Sequence, residues 1–171
     1  MQPPKDTGRP PRKILRIVIP AYPAFNIYSR VAAVTSALGP VSVATAVNDI
    51  PGWDAEVIDE NNYRRGPKDE AGRPDHGALQ RIRPADVIGL YGGLTSTIPR
   101  LFEIAEFYKG LGVPTIAGGQ HFVEDTVVEA LGRGVDIIVL GERREGHRRV
   151  AGVLRRADAR DVHLWLSRAA R

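Results

Sequence analysis

The sequence predicts an α/β domain with a doubly wound, flavodoxin-like (Rossmann-like) sheet of about five parallel strands and helices on both faces. Short apolar runs alternate with amphipathic stretches over residues 13–140, and this alternation is typical of parallel strands joined by right-handed helical crossovers. The first run, 13–19, is almost continuously apolar, as expected for a strand covered on both faces. A length of 171 residues suits one such domain.

The individual elements follow from periodicity and from turn residues. Residues 41–50 are ambiguous, because their valines favour a strand whereas their length and the obvious strand after them favour a helix, and we assign a helix. Gly39 and Pro40 are expected to end the helix before it. Residues 61–75 are polar and rich in Gly and Pro, which predicts a long loop. Strands are predicted at 13–19, 54–59, 85–91, 113–117 and 135–140, and helices at 27–38, 41–50, 77–82, 98–111 and 124–131.

The two ends of the chain differ from the predicted domain, 13–142, in composition. Residues 1–12 contain four prolines and a glycine among charged residues, which predicts a flexible arm. Residues 143–171 hold nine arginines against three acidic residues, so the net charge of +4 belongs to this tail, which is expected to be helical or disordered. Trp165 is the one aromatic residue of the tail, which argues against a nucleic-acid interface.

Composition and missing motifs exclude several functions. The chain has no cysteine, which rules out a disulfide framework, an iron–sulfur cluster, a thiolate zinc site and a cysteine nucleophile. No signal peptide or membrane span is visible, so a cytoplasmic location is expected. The chain lacks a G-x-G-x-x-G opening, a P-loop, a serine nucleophile elbow and metal-ligand spacing. No acidic residue ends the strand 85–91, which argues against a phosphorelay receiver.

The candidate site lies at the carboxyl ends of the strands, where open α/β sheets bind ligands. Three of these ends contain glycine, which lets a ligand approach the backbone; one glycine alone is explained by a tight turn, but three indicate a cleft. The candidate binding residues are Tyr22, Asn26, Gly92, Gly93, Leu94, Thr95, Ser96, Thr97, Gly118, Gly119, Gln120, His121, Gly141 and Glu142.

Two groups among these candidates have alternative roles. One hydroxyl of Thr95, Ser96 and Thr97 is either the N-cap of the next helix or, with the backbone N–H groups, a contact for a phosphate or amide. His121 is a ligand, an acid–base group or a loop residue. The other histidines, His76, His147 and His163, are interpreted as solvated.

The stretch 85–142 resembles the cobalamin (B12)-binding domain found N-terminal in B12-dependent radical S-adenosylmethionine (radical SAM) proteins. The matching pieces are Gly92-Gly93-Leu94-Thr95-Ser96-Thr97, Gly118-Gly119-Gln120-His121 and Gly141-Glu142, and residues 20–59 match more loosely. The resemblance implies that these loops hold cobalamin at the strand ends and that a separate radical SAM or methyltransferase subunit is a partner.

Two departures from the related cobalamin proteins limit what this chain can do. The Asp-x-His-x-x-Gly motif is absent, since after Asp161-Val162-His163 the glycine position holds Leu166; no histidine is therefore expected to bind cobalt, and no metal ligand is assigned. Without cysteine the chain cannot hold the radical SAM cluster, so no catalytic activity is expected of it alone.

Three functions remain open from the sequence. The first is a stand-alone or truncated cobalamin-binding domain, and the second is a flavodoxin-like module for a nucleotide or another small molecule without cobalamin. The third is a small enzyme with His121 and Glu142 as acid–base groups. On the first interpretation, Gly119→Val is expected to damage cobalamin binding more than folding, because a turn has little core to disturb.

Overall fold

The computed structural model describes residues 12–23, 34–140 and 149–154. Its five strands form one parallel sheet in the order β2-β1-β3-β4-β5, which confirms the predicted flavodoxin-like α/β fold. The strands are β1 Lys13–Ile19, β2 Trp53–Asp59, β3 Val87–Tyr91, β4 Thr115–Gly118 and β5 Ile137–Val139. The helices are α1 Leu38–Asn48, α2 His76–Ile82, α3 Ile98–Gly110 and α4 Glu124–Gly132, with a 3-10 turn, Thr95–Thr97, before α3.

Each face of the sheet carries its own buried apolar cluster, because successive strand residues point to opposite faces. On the α3 face, Val18 and Leu90 pack with residues of α3 and α4. On the α1 face, Leu15 and Ile17 pack with α1 and with the helical residues 149–154. None of the helices described is long and apolar enough to cross a membrane.

The segment between β1 and β2 differs from the prediction. Residues 24–33, with most of the predicted helix 27–38, lie outside the described residues, and 34–37 are not helical. Helix α1 begins at Leu38, so Gly39 and Pro40 form its first turn and do not end an earlier helix. Proline is tolerated there because first-turn N–H groups have no acceptor within the helix. The helix predicted at 41–50 is confirmed, starting three residues earlier.

The core extends past residue 142, the predicted end of the domain. Residues 149–154 are helical, and Leu154 is fully buried in the cluster on the α1 face. At the other end, Arg12 of the predicted arm forms an ion pair with Asp54, 3.1 Å apart. The rest of the predicted arm and tail, 1–11 and 155–171, lies outside the described residues, as does 141–148.

The charge within the apolar run 14–19 of β1 belongs to a buried arginine. Arg16 has no exposed surface, and its Nε lies 2.6 Å from Glu56 Oε1 on the neighbouring strand. Its guanidinium also donates to the backbone carbonyl oxygens of Leu79 and Arg83 at the end of α2. These bonds satisfy the buried charge and dock α2 onto the sheet.

A second buried charge, Glu60, follows β2 and has a fully buried side chain. Its Oε1 accepts from Arg100 Nη2 of α3 at 2.7 Å, and its Oε2 accepts from Arg100 Nε at 3.0 Å. The backbone N–H of Ala21, in the loop after β1, donates to Oε2 at 2.9 Å. Glu60 therefore holds the loop after β1 and helix α3 against the end of β2.

His76 completes this cluster and corrects a prediction. The sequence places it in a polar segment and suggests a solvated ring, which is wrong, because His76 begins α2 and is buried. Its Nε2 lies 3.2 Å from Glu60 Oε1 and its Nδ1 lies 3.1 Å from the Tyr108 hydroxyl. Burial by itself raises the pKa of Glu60, but the hydrogen bonds from His76, Arg100 and Ala21 outweigh burial and lower that pKa to about 2.

We expect Glu60→Gln to lower the free energy of unfolding at pH 7 by about 3 kcal/mol, because Arg100 and His76 lose a buried carboxylate. The pKa of Glu60 is depressed in the folded state, from 4.5 to about 2, so its contribution to stability is full above about pH 4.5 and is lost as the pH falls toward 2. Urea unfolding at pH 7 and pH 3 measures both effects.

The control variant is Glu103→Gln, which removes a mostly exposed partner of Arg100 and is expected to cost less than about 1 kcal/mol. An equal loss of stability on acidification in the wild type and in Glu60→Gln contradicts this role of Glu60.

Candidate ligand-binding site

A cavity of about 820 Å³ lies on the α1 face of the sheet. Its floor consists of residues that lie side by side on adjacent strands of the sheet. Its walls include the first turn of α1 and Val150 of the helical residues 149–154. Two rows of the sheet form most of the floor: Ile17, Gly89 and Ile116 in one, and Tyr91, Gly118 and Val139 in the row nearer the carboxyl edge.

Two strand glycines, Gly89 and Gly118, contribute to the floor of the cavity without a side chain. A Cβ on Gly89 would lie 3.2 Å from Ile17 Cγ1, so this position is closely packed. A Cβ on Gly118 would have Val139 O as its nearest neighbour, at 3.5 Å, which is ordinary contact. A side chain at Gly118 therefore has room to project into the cavity.

The lining of the cavity is mostly apolar. Among the described residues that line it there is no charged side chain, and the polar side chains are those of Ser42, Tyr91 and Gln120. A surface of this kind favours an apolar group with a small number of hydrogen bonds.

The turns after β3 and β4 meet beside this cavity, on the same edge of the sheet, as the sequence predicts. The N–H of Gly92 donates to Gly118 O at 2.8 Å, and the N–H of His121 donates to Gly92 O at 3.0 Å. The side chains add a contact of 3.3 Å between Thr95 Oγ1 and His121 Nδ1. The two turns thus form one hydrogen-bonded unit.

Gly119 is required by the backbone of this unit. Its φ is +130°, and a Cβ would lie 2.4 Å from Gly92 O. The prediction that Gly119→Val damages cobalamin binding more than folding assumes a turn with little to disturb, but this turn packs directly on the backbone of Gly92, so we expect the substitution to destabilise the fold as well.

The hydroxyls before α3 have local partners. Thr97 is the N-cap residue of α3, as one of the alternatives predicts, but its Oγ1 donates to Leu94 O at 2.8 Å and makes no capping hydrogen bond to α3. His121 Nε2 is buried without a hydrogen-bond partner in the structure.

The predicted site residues fall into three groups. Gly118, Gly119 and Gln120 line the cavity. The residues of the adjoining turn unit surround its edge without lining it: Gly92, Gly93, Leu94, Thr95, Ser96, Thr97 and His121. Tyr22 does not line the cavity, and its backbone N–H donates to Asn61 Oδ1 at 2.9 Å. Asn26, Gly141 and Glu142 lie outside the described residues.

The sequence analysis missed most of the cavity lining, including Gly39, Gly89 and Tyr91. The available signal was Gly89, because a glycine inside an apolar strand often marks a close approach of a ligand or backbone. Over the described ranges no group of three or more His, Cys, Asp or Glu residues is placed to hold a metal ion.

Comparison with known proteins finds no matching family model and no matching curated protein. The solved structure of the RcsB response regulator of Salmonella typhimurium matches with a TM-score of 0.51 and 12% identity, over 86% of this chain and 61% of that one. The signal receiver domain of the response regulator NarL from Mycobacterium tuberculosis matches with a TM-score of 0.48 and 14% identity, over 83% of this chain and 96% of that one.

The chain shares the flavodoxin-like fold of response-regulator receiver domains. At 12% identity the likeness to RcsB shows the fold alone, and this chain spans less than two thirds of the RcsB chain. The end of β3 holds Tyr91, where a phosphorelay receiver requires an acidic residue. The fold is thus shared while that site chemistry is absent from this strand.

We expect Gly119→Val to lower the free energy of unfolding by about 2 kcal/mol or more, because valine cannot adopt its backbone conformation without strain. Gly118→Val, one residue earlier, is expected to change it by less than about 1 kcal/mol, since a branched side chain suits a strand with free space beside it. Urea unfolding of both variants tests this, and equal stability of the two contradicts the structure of the turn unit.

Proposed function

We propose that this chain is a small-molecule-binding module whose ligand enters the cavity at the carboxyl edge of the sheet. The observation that carries the proposal is the cavity itself, with its open floor at Gly89 and Gly118. Its volume of about 820 Å³ falls in the range of ligand pockets, about 300–1,000 Å³. It also reaches the edge at which open α/β sheets bind their ligands.

The turn unit supports the same proposal, because it offers contacts next to the cavity. Leu94, Thr95, Gly119 and Gln120 are exposed there, whereas the carbonyl oxygens of Gly92 and Gly118 are already engaged. The part of a bound ligand that projects out of the cavity would therefore contact exposed residues of the turn unit, whose two turns are joined by hydrogen bonds.

A second, more specific candidate for the ligand is cobalamin, which the resemblance of 85–142 suggests. Of the residues that resemble the cofactor loops of that family, 92–97 and 118–121 form the turn unit and the adjoining rim of the cavity. A corrin ring needs a broad surface of small residues, and an apolar cavity suits an uncharged arm of a large cofactor, so the residues present fit the group.

When bound, cobalamin supplies a cobalt centre that carries alkyl groups. This chain would bind and orient the cofactor, and a separate radical SAM or methyltransferase subunit would be its partner.

We expect hydroxocobalamin to bind the wild-type protein, as seen by its visible spectrum, and we expect Gly118→Val to weaken binding at least about tenfold by filling the cavity. The matched control is Gly110→Val, at the end of α3, where an added Cβ meets no atom within 4 Å. Normal binding by Gly118→Val, or equal loss in both variants, contradicts the location of the site.

If hydroxocobalamin does not bind, the cobalamin candidate is wrong and the broader proposal is tested with the neutral dye Nile red. We expect its fluorescence to rise with the wild type and to rise less with Gly118→Val. No increase with any folded variant would overturn the proposed small-molecule function.

We also expect His121 to leave cobalt uncoordinated, because its Nδ1 contacts Thr95 and its Nε2 is buried. The measurement is electron paramagnetic resonance of the Co(II) form, with the base of the cofactor displaced. Nitrogen hyperfine splitting that is present in the wild type and missing in His121→Ala would contradict this expectation.

A further inference from the structure

We infer that the cavity accepts an uncharged, apolar group of its ligand, and that Tyr91 is the residue that selects this group. The inference rests on the proposed small-molecule function and adds the chemical class of the group that is buried.

The charge of the lining supports the first half of the inference. No described lining residue carries a charge, and the floor is formed by Ile17, Ile116 and Val139 with the two glycines. An ionic group placed here would lose its hydration without gaining a counter-charge from the described lining, which is unfavourable. A phosphate or carboxylate of the ligand would therefore stay outside the cavity, in contact with water.

The position of Tyr91 supports the second half. Tyr91 is the last residue of β3 and pairs in register with Gly118 at the carboxyl edge. Its ring has glycine on two sides: a Cβ on Gly93 would lie 2.5 Å from Tyr91 Cε1, and a Cβ on Gly39 would lie 3.6 Å from Tyr91 Cε2. The ring therefore occupies the space between α1 and the turn after β3, and it narrows the cavity at that edge.

The hydroxyl of Tyr91 is available to a ligand. It has no hydrogen-bond partner among the described residues, although the side chain is half-buried and lines the cavity. The two other polar side chains of the lining, Ser42 and Gln120, are exposed. Because a phenol both donates and accepts, Tyr91 can pair with a nitrogen or oxygen atom at the edge of an aromatic group.

Three bicyclic probes of similar size separate the effect of ligand charge from that of the Tyr91 hydrogen bond at pH 8. Quinoline is neutral and has a ring nitrogen, naphthalene is neutral and has none, and 1-naphthoate is an anion. We expect quinoline to bind at least about tenfold more tightly than 1-naphthoate, because of the missing counter-charge. Affinities are measured by chemical-shift titration of the wild-type protein.

The variants then test Tyr91 itself. Tyr91→Phe is expected to weaken the binding of quinoline about three- to tenfold, which is the effect of one lost hydrogen bond. The affinity for naphthalene is expected to stay within about twofold of the wild-type value. The control is Tyr63→Phe, since Tyr63 does not line this cavity, and we expect it to bind all three probes as the wild type does.

The outcomes distinguish the inference from the proposed function. Equal binding of 1-naphthoate and quinoline, or unchanged quinoline affinity in Tyr91→Phe, overturns the inference while the small-molecule function stands. Failure of all three probes to bind the folded wild type overturns the inference, and the small-molecule function falls only if hydroxocobalamin and Nile red fail to bind as well.

Discussion

The buried carboxylate of Glu60 joins parts of the chain that lie far apart in sequence. It accepts hydrogen bonds from the loop after β1, from His76 at the start of α2 and from Arg100 in α3. A buried charge is tolerated only when its oxygens are fully paired. The position of each of these partners is therefore constrained by one side chain, and the arrangement of β1, β2 and the helices on the α3 face depends on it.

The two faces of the sheet differ because of how their space is filled. On the α3 face, apolar side chains and the buried charges of Arg16 and Glu60 fill the space beneath the helices. On the α1 face, Gly89 and Gly118 leave the floor open between α1 and residues 149–154. The α3 face is thus filled by packed side chains and paired buried charges, whereas the α1 face keeps an open cavity at the carboxyl edge of the sheet.

The likeness to RcsB in fold does not determine which side chains stand at the carboxyl edge of the sheet. Receiver domains and this chain share the parallel sheet and its surrounding helices, but β3 ends here in an aromatic residue beside two glycines. A shared fold thus leaves the chemistry of this edge to the residues at the strand ends, which here form the wall of an apolar cavity.

The sequence by itself determined the five strands and the helices α2, α3 and α4, because hydrophobic periodicity and turn residues are local properties, but it placed residues 34–37 in a helix and the start of α1 three residues too late. It also placed Gly92 and Gly118 at the same edge, since parallel strands end on one side of a sheet. Only the tertiary structure decided that His76 is buried, that Gly119 is needed by the backbone of Gly92, and that Leu154 belongs to the core. The cavity had the same origin: Gly39 lies on α1, Gly89 on β3 and Gly118 on β4, and the space that they enclose exists only once packing has brought those elements together.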